Sequence, residues 1–201
     1  MKKTIISLIL ILTMLPLSAQ QISHPYYKQT LSLSWQNHYA FGEYGNFIDK
    51  YSLGGFDFNY TYYFDNSMGI GISFAWNYGE QFVPSKVVRP AENIAIKAAG
   101  TKYTEAIPIK AQYKYMITPR SFVKFYVAAG MGAIYNKQEL HVQDYAMYNG
   151  SWAFLLNPEI GVMIPFGINS VWGLNINAGY NWATNDFQNI YANFGLYIAF
   201  F

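Results

Sequence analysis

The sequence predicts an all-β fold: an eight-stranded antiparallel up-and-down transmembrane β-barrel, preceded by a cleaved signal peptide. Three features predict it: a secretory signal at the N-terminus, a composition rich in aromatic and poor in charged residues, and apolar residues at alternate positions of eight segments. The length of 201 residues allows one domain, so we assign residues 1–20 to the signal peptide and residues 21–201 to the barrel.

The first residues have the parts of a secretory signal. Two lysines precede a short apolar stretch at residues 4–17, and the small residues Ser18 and Ala19 follow it. The apolar stretch is shorter than the roughly 20 residues that a spanning helix needs, and Pro16 interrupts its end, so an uncleaved anchor is disfavoured. Cleavage after Ala19 and cleavage after Gln20 fit the pattern equally well.

The composition argues against an ordinary water-soluble β domain. Charged residues make up 12% of the chain, against about 25% in an average soluble domain, whereas aromatic residues reach 19%. A water-facing surface cannot be built from so few charges. Removal of the signal takes away two of the 13 basic residues and leaves as many basic as acidic residues, so charge gives no reason to expect nucleic-acid binding. The absence of cysteine excludes disulfides and thiolate metal sites.

Large apolar residues alternate with small or polar residues in eight segments. The last is the clearest, because every second residue from Ile190 to Phe200 is apolar, while Phe201 falls on the opposite parity. An eight-stranded barrel is only just wide enough inside for side chains to fill, so its interior cannot hold the large apolar set. We therefore expect the apolar face to meet lipid. The segments lie near residues 31–36, 56–64, 69–79, 107–115, 123–133, 154–164, 172–182 and 190–200.

The links between the segments alternate in length and predict the orientation. In barrels that cross the bacterial outer membrane the short turns face the periplasm, so we expect both termini on that side and the longer links outside. Pro108 and Pro158 lie inside segments and predict a local bulge or a break near the barrel rim. The short links are residues 65–67, 118–121 and 165–170, and the long ones are about 41–50, 80–102, 136–150 and 183–189.

With these features the chain resembles the small eight-stranded outer-membrane β-barrel proteins, the OmpA-like and OmpX-like barrel superfamily. The resemblance covers about residues 29–201 and depends most on the glycine-bearing segment 123–133, on residues 157–162 and on the closing segment 193–201. It implies an integral, monomeric protein of the bacterial outer membrane. The expected partners are outer-membrane lipid and lipopolysaccharide, the barrel assembly machinery, and a surface protein or host ligand.

Five charged residues fall on the small and polar face and form the first candidate site. Charges close together in a narrow interior are expected to pair, because an isolated buried charge is far more costly. A plug of salt bridges and asparagine side chains and a small selective pore are both compatible with this pattern. The five residues are Asp57, Lys110, Lys114, Lys124 and Glu159.

The long links that we expect outside the cell carry the second candidate site. Basic side chains there could bind the phosphates of lipopolysaccharide or an acidic patch of a partner, although such residues are more often simply solvated. The candidates are Lys86, Arg89, Lys97, Lys102, Tyr145 and Tyr148.

Catalysis is not expected, and neither is a cofactor or a metal. The chain has three histidines, His24, His38 and His141, and no two of them share a strand or loop. His38 lies on the inward parity of the first segment, and Ser34 is about 13 Å away along the strand, which is too far for a nucleophile and its base. The sequence therefore predicts a non-enzymatic barrel with a side-chain-filled interior that acts structurally or by surface interaction. A small porin-like channel is the alternative, and a lipid A-modifying enzyme is a weaker one.

Overall fold

The computed structural model describes residues 27–48, 51–91, 94–142, 145–167 and 169–201, without the side chains at 43–44, 85–91, 94–98 and 145. The signal peptide predicted at residues 1–20 lies outside these ranges. Within them, no helix is long and apolar enough to cross a membrane. The elements are β1 (Gln29–Phe41), α1 (Gly42–Phe47), β2 (Tyr51–Ser52), β3 (Gly54–Tyr63), β4 (Met68–Ala91), β5 (Ile94–Met116), β6 (Lys124–Val142), β7 (Tyr145–Pro165), β8 (Trp172–Ala183) and β9 (Gln188–Phe200).

The strands form one antiparallel sheet that closes on itself. Strand β1 pairs with β9 along its whole length, from Gln29 opposite Phe200 to Phe41 opposite Gln188. The short strand β2 pairs with β1 on the same side as β3, so β2 and β3 share one position in the wall. The result is the predicted closed barrel of eight strand positions. Closure gives the strands of the wall a neighbour on both sides, so their backbone amides have the partners that lipid cannot supply.

The two faces of the wall differ as the alternation predicts. On β4, Ile72 is 62% exposed, whereas its neighbour Ser73 is 2% exposed and faces the interior. On β9, Phe194 and Phe200 are exposed on the outer face, whereas Tyr197 is buried inside. The large apolar side chains therefore cover the outside of the barrel, and the small and polar ones fill the inside.

The two ends of the barrel are built differently. Three short connections, residues 64–67, 117–123 and 166–171, lie at the end that also carries both ends of the described chain, and we call this the turn end. Their positions agree with the short links predicted from the sequence. The opposite end, where β4 turns into β5 and β6 into β7, is called the hairpin end.

The prediction of long loops at residues 80–102 and 136–150 is wrong, because all the described residues of both segments are strand. Strands β4 and β5 stay paired up to Ala91 opposite Ile94, and β6 and β7 up to Val142 opposite Tyr145. Beyond the barrel wall these four strands continue as an extension of the same sheet, which we call the hairpin sheet: residues 79–91, 94–105, 136–142 and 145–153. Its faces are mixed in polarity, so the sequence shows no single apolar face there, although the backbone is extended.

Of the two outcomes predicted for the prolines, a bulge or a break, each proline gives a local break in a ladder and no bulge. The β4–β5 ladder lacks two pairs next to Pro108 and the β7–β8 ladder lacks two next to Pro158, but the register is the same on both sides of each gap. Proline has no N–H to donate, so each proline weakens one ladder locally without shifting it.

Candidate functional site

The interior of the barrel has three layers along its axis. Buried apolar and aromatic side chains occupy both ends, and a network of polar and charged side chains lies between them. The turn-end cluster consists of Tyr27, Tyr63, Met116, Tyr126, Ala128, Met163, Tyr197 and Ala199, and the hairpin-end cluster of Ala40, Ala106, Ile134, Leu155, Ala183 and Phe187.

Lys110 and Glu159 form the centre of the polar layer. The ammonium of Lys110 lies 3.9 Å from Glu159 Oε2 and donates a hydrogen bond of 2.7 Å to Asn157 Oδ1. The hydroxyls of Tyr191 and Tyr126 donate to the two carboxylate oxygens of Glu159, at 2.6 and 3.2 Å. This ion pair is fully buried, and each of its charged groups has hydrogen-bond partners, which is the condition under which buried charge is tolerated.

Asp57 and Lys114 extend the network toward β3 and β5. The carboxylate of Asp57 accepts a hydrogen bond of 2.7 Å from Ser73 Oγ. Lys114 Nζ lies 3.4 Å from Asn59 Oδ1 and 4.5 Å from the centre of the Tyr126 ring, whose π face attracts a cation. The centre of the barrel thus holds two ammonium groups and two carboxylates.

Lys124 does not belong to this network, although the sequence places it on the same face. Its Nζ donates to the carbonyl oxygens of Pro119 and Ser121, at 2.6 and 3.3 Å, and lies 5.0 Å from the centre of the Tyr27 ring. Lys124 is the first residue of β6, at the turn end of the strand. Its contacts show that it binds the turn end of the barrel rather than the central carboxylates.

The sequence analysis did not name the tyrosines that connect the central charges as site residues, although the alternation places Tyr126 and Tyr191 on the inward face. A signal for them exists in the pairing of the strands. Tyr126 faces Gly161, and Tyr191 faces Gly179, and a Cβ atom on either glycine would overlap the tyrosine ring or its hydroxyl. Each inward tyrosine thus fills space that a glycine on the next strand leaves empty.

The predicted external candidates have different surroundings. Lys102 faces the inner side of the hairpin sheet, and its Nζ donates a hydrogen bond of 2.5 Å to the carbonyl oxygen of Phe47 in α1. Tyr148 lies on the outer face and is 77% exposed. Lys86, Arg89 and Lys97 lie in the paired part of β4 and β5, and Tyr145 begins β7, but their side chains are outside the described residues.

Among the described residues, no histidine is hydrogen-bonded to a serine. His38 is buried in the wall, and its Nδ1 has no partner in the described part of the chain. His141 lies on the outer face, with Nε2 3.1 Å from Glu139 Oε2. The pairing of a nucleophile with a base that acyl transfer requires is therefore not formed by these residues.

The outer face of the hairpin sheet combines aromatic rings with ion pairs. Lys137 forms a salt bridge with Glu139, and their hydrogen bond, with a weaker one from His141, holds the pKa of the Glu139 carboxyl below its usual value. Glu105 accepts a hydrogen bond of 2.6 Å from Trp76 Nε1. This surface lies just beyond the part of the wall that is covered by large apolar side chains.

Solved structures with the same fold support the barrel. Over 88% of this chain and 100% of the other, the protein is similar to Ail, the attachment invasion locus protein of Yersinia pestis, solved with the heparin analogue sucrose octasulfate, with a TM-score of 0.55 and 17% identity. It is also similar to neisserial surface protein A, over 86% and 97% of the two chains, with a TM-score of 0.53 and 13% identity. No curated protein matches the sequence.

A family model settles the membership of the chain. The model described as the outer membrane protein beta-barrel domain matches residues 5–200, which is nearly the whole sequence. Together with the closed eight-strand wall and its apolar outer face, this match shows that the chain belongs to the family of outer-membrane proteins with this β-barrel domain.

Proposed function

We propose that the protein is a non-enzymatic, non-conducting barrel that anchors the hairpin sheet in the outer membrane and presents it at the cell surface for interaction with other molecules. The observation that carries this proposal is the sheet itself: four strands continue beyond the wall as paired strands. Residues 79–91 of β4 alone extend about 40 Å along the strand direction.

The filled interior supports a barrel without conductance. Any path along the axis has to pass two apolar clusters and, between them, a buried ion pair whose charged groups are already hydrogen-bonded. An eight-stranded barrel has little interior space beyond its own side chains. A small channel is therefore the weaker alternative.

The free edges of the hairpin sheet support an interaction role. Strand β3 pairs with β4 only as far as Tyr78, and β8 pairs with β7 only up to Leu155. Beyond these residues, no described strand pairs with the outer edge of β4 or of β7. An open edge offers backbone N–H and C=O groups to an extended segment of another protein, which can add to the sheet as a further strand.

The orientation that this function requires places the hairpin end outside the cell. Its support is the contrast between three short turns at one end and long paired hairpins at the other, which is the usual arrangement of these barrels. Since the natural chain has no cysteine, single cysteines can report it. Tyr148→Cys should react with a membrane-impermeant maleimide on intact cells, and Asn66→Cys should react only after lysis. The reverse pattern would overturn the orientation.

Planar-bilayer recordings test the absence of conductance. The purified, refolded protein should give no discrete openings. Reproducible openings that change in Lys114→Ala or Glu159→Ala would favour the channel instead, because both side chains lie in the central layer.

Incubation with lipid A should leave the mass of the lipid unchanged, whereas a lost or gained acyl chain that depends on His38 would favour an enzyme.

A trimmed variant tests the interaction role directly. Replacing residues 80–104 and 138–149 with short turns should leave the barrel inserted, as judged by its shift in gel mobility on heating. A labelled extended peptide of alternating threonine and valine should bind the natural protein in micelles but not the trimmed one. A peptide with proline at alternate positions is the control, because it cannot donate the ladder hydrogen bonds. Equal binding of both peptides would contradict edge pairing.

A further inference from the structure

We propose that the outer face of the hairpin sheet binds uncharged sugar rings of the glycolipid that surrounds the barrel. The proposed site is the aromatic stripe, which begins with Trp76 and Tyr78 at the end of the wall, continues with Tyr103 and His141 in the hairpin sheet, and crosses β4, β5 and β6 diagonally. The inference rests on the orientation proposed above, because this glycolipid lies in the outer leaflet.

The register of the strands creates the stripe. Tyr78 lies opposite Glu105, and Tyr103 lies between Glu80 on β4 and Glu139 on β6. Consecutive rings are in contact: Trp76 and Tyr78 are stacked with centroids 5.7 Å apart, Tyr78 and Tyr103 are 6.1 Å apart, and Tyr103 meets the His141 ring edge-on at 5.1 Å. The stripe thus runs without interruption from the apolar wall outward.

A cleft lies along the stripe. It has a volume of about 280 Å³, and Tyr78, Tyr103 and His141 line it together with Glu105, Lys137 and Glu139. This is close to the lower limit of about 300 Å³ for small-molecule sites, which suits one or two sugar rings. Aromatic faces carry negative π density and attract the C–H face of a sugar ring, while the polar groups at the margin can bond its hydroxyls.

The charges of the cleft disfavour an anionic ligand. Glu105 accepts a hydrogen bond from Trp76 Nε1, and Glu139 is paired with Lys137 and lies beside His141. Glu105 and Glu139 outnumber the single ammonium of Lys137, so a phosphate or sulfate group would be repelled. Each carboxylate keeps lone pairs that can accept hydrogen bonds from the hydroxyls of a neutral sugar. The sugar rings themselves, rather than phosphate or sulfate groups, fit this chemistry.

The position of the stripe selects a lipid-anchored sugar over a free one. Its first ring, Trp76, contacts Phe56, whose side chain belongs to the lipid-facing wall. A second aromatic pair, Tyr135 and Trp152, lies level with Trp76 on β6 and β7. Amphipathic rings of this kind gather at the boundary between lipid tails and head groups. The rest of the stripe therefore begins where the sugars of a surrounding glycolipid begin.

The test compares glycolipids in nanodiscs. The protein is reconstituted in three kinds of disc: with lipopolysaccharide that carries its core sugars, with lipid A that lacks them, or with phospholipid alone. After detergent extraction, native mass spectrometry counts the glycolipids that each sample retains. We expect preferential retention of the sugar-bearing form. Tyr78→Ala/Tyr103→Ala should reduce this preference about tenfold, which corresponds to about 1.4 kcal/mol of binding free energy, because it removes two of the rings that line the cleft.

Matched variants keep the test decisive. Tyr148→Ala removes an exposed tyrosine from the same face but outside the stripe, and it should retain the preference. Tyr103→Phe keeps the ring and should retain most of it, and the gel shift on heating confirms that each variant is folded. Equal retention of lipid A and lipopolysaccharide, or equal loss in Tyr148→Ala, would overturn the proposal. Stronger binding of free maltoheptaose, of sucrose octasulfate or of polylysine to protein in phospholipid discs would also overturn it. A reversed orientation in the membrane would be detected by the labelling of Tyr148→Cys and Asn66→Cys, so failure of the proposed function can be distinguished from failure of this inference.

Discussion

Removal of the Lys110 ammonium tests whether the centre of the barrel is as dry and as fully paired as its geometry indicates. In Lys110→Met the carboxylate of Glu159 loses its ion-pair partner, while the side chain keeps a similar volume. Both members of the pair are almost completely buried, at 2% and 4% exposure. Breaking a buried pair by removing one partner costs about 3–5 kcal/mol, which lowers the folding equilibrium constant at least about 100-fold.

The chain contains its own control, because Lys137 and Glu139 form a second pair on the outer face. Their side chains are 33% and 25% exposed, so the same change, Lys137→Met, should leave the free energy of unfolding nearly unchanged. The double variant Lys110→Met/Glu159→Gln should recover most of the lost stability, because it removes the uncompensated charge together with the pair.

Equilibrium unfolding in urea, with the protein in lipid vesicles, measures these differences. The five tryptophans all lie on the outer face, so their emission reports the loss of contact with lipid. If Lys110→Met lowers the free energy of unfolding no more than Lys137→Met does, the ammonium of Lys110 is hydrated in the folded barrel. The account of a sealed interior would then fail, and with it the main support for a non-conducting protein.

Further changes probe the wall and the hairpin sheet. In the same unfolding assay, Ile72→Arg on the lipid face should lower the free energy of unfolding by about 2–4 kcal/mol. Phe82→Arg on the same strand, in the hairpin sheet, should leave it nearly unchanged. Equal effects would show that both residues lie in the same environment. Gly161→Ala should cost about 1–3 kcal/mol through overlap with the tyrosine ring above it, and full stability would show that this ring can move. In carbon NMR titrations, Glu139 should ionise below its usual pKa, because the hydrogen bond from Lys137 favours the carboxylate. The ion pair therefore stabilises the protein above the ordinary carboxyl pKa, and this stabilisation is lost as the pH falls through the lowered pKa of Glu139. Lys137→Met should raise the Glu139 pKa, and an unchanged pKa would exclude the pair in solution.

Much of the fold can be predicted because the environment of each barrel residue repeats with a period of two. Lipid on one side and a narrow interior on the other impose opposite requirements on neighbouring residues, and Ile72 and Ser73 show this clearly. The same rule places Phe200 on the outer face at the end of β9. It fails for the hairpin sheet, where the outer face combines Tyr103 with Glu139, since without lipid there is no need for an apolar face.

The candidate site could be predicted only as a set of inward-facing residues. Parity along a strand tells which way Lys110 and Lys124 point, but it does not tell which groups they meet across the interior. Lys110 binds Glu159, two strands away, although the ladders align Lys110 with Gly132 and Glu159 with Ala128, four residues apart on β6. Lys124 lies four residues from Ala128 in the other direction and binds turn carbonyls instead.

The sequence alone determined the barrel class and which side chains face lipid, because these follow from a local alternation that any single strand displays. Only the tertiary structure decided the partners of the central charges, the tyrosines that link them and the extension of β4 to β7 beyond the wall. These features depend on register and closure, which are properties of several strands together. Contacts between residues far apart in the chain cannot be read from the period of one segment.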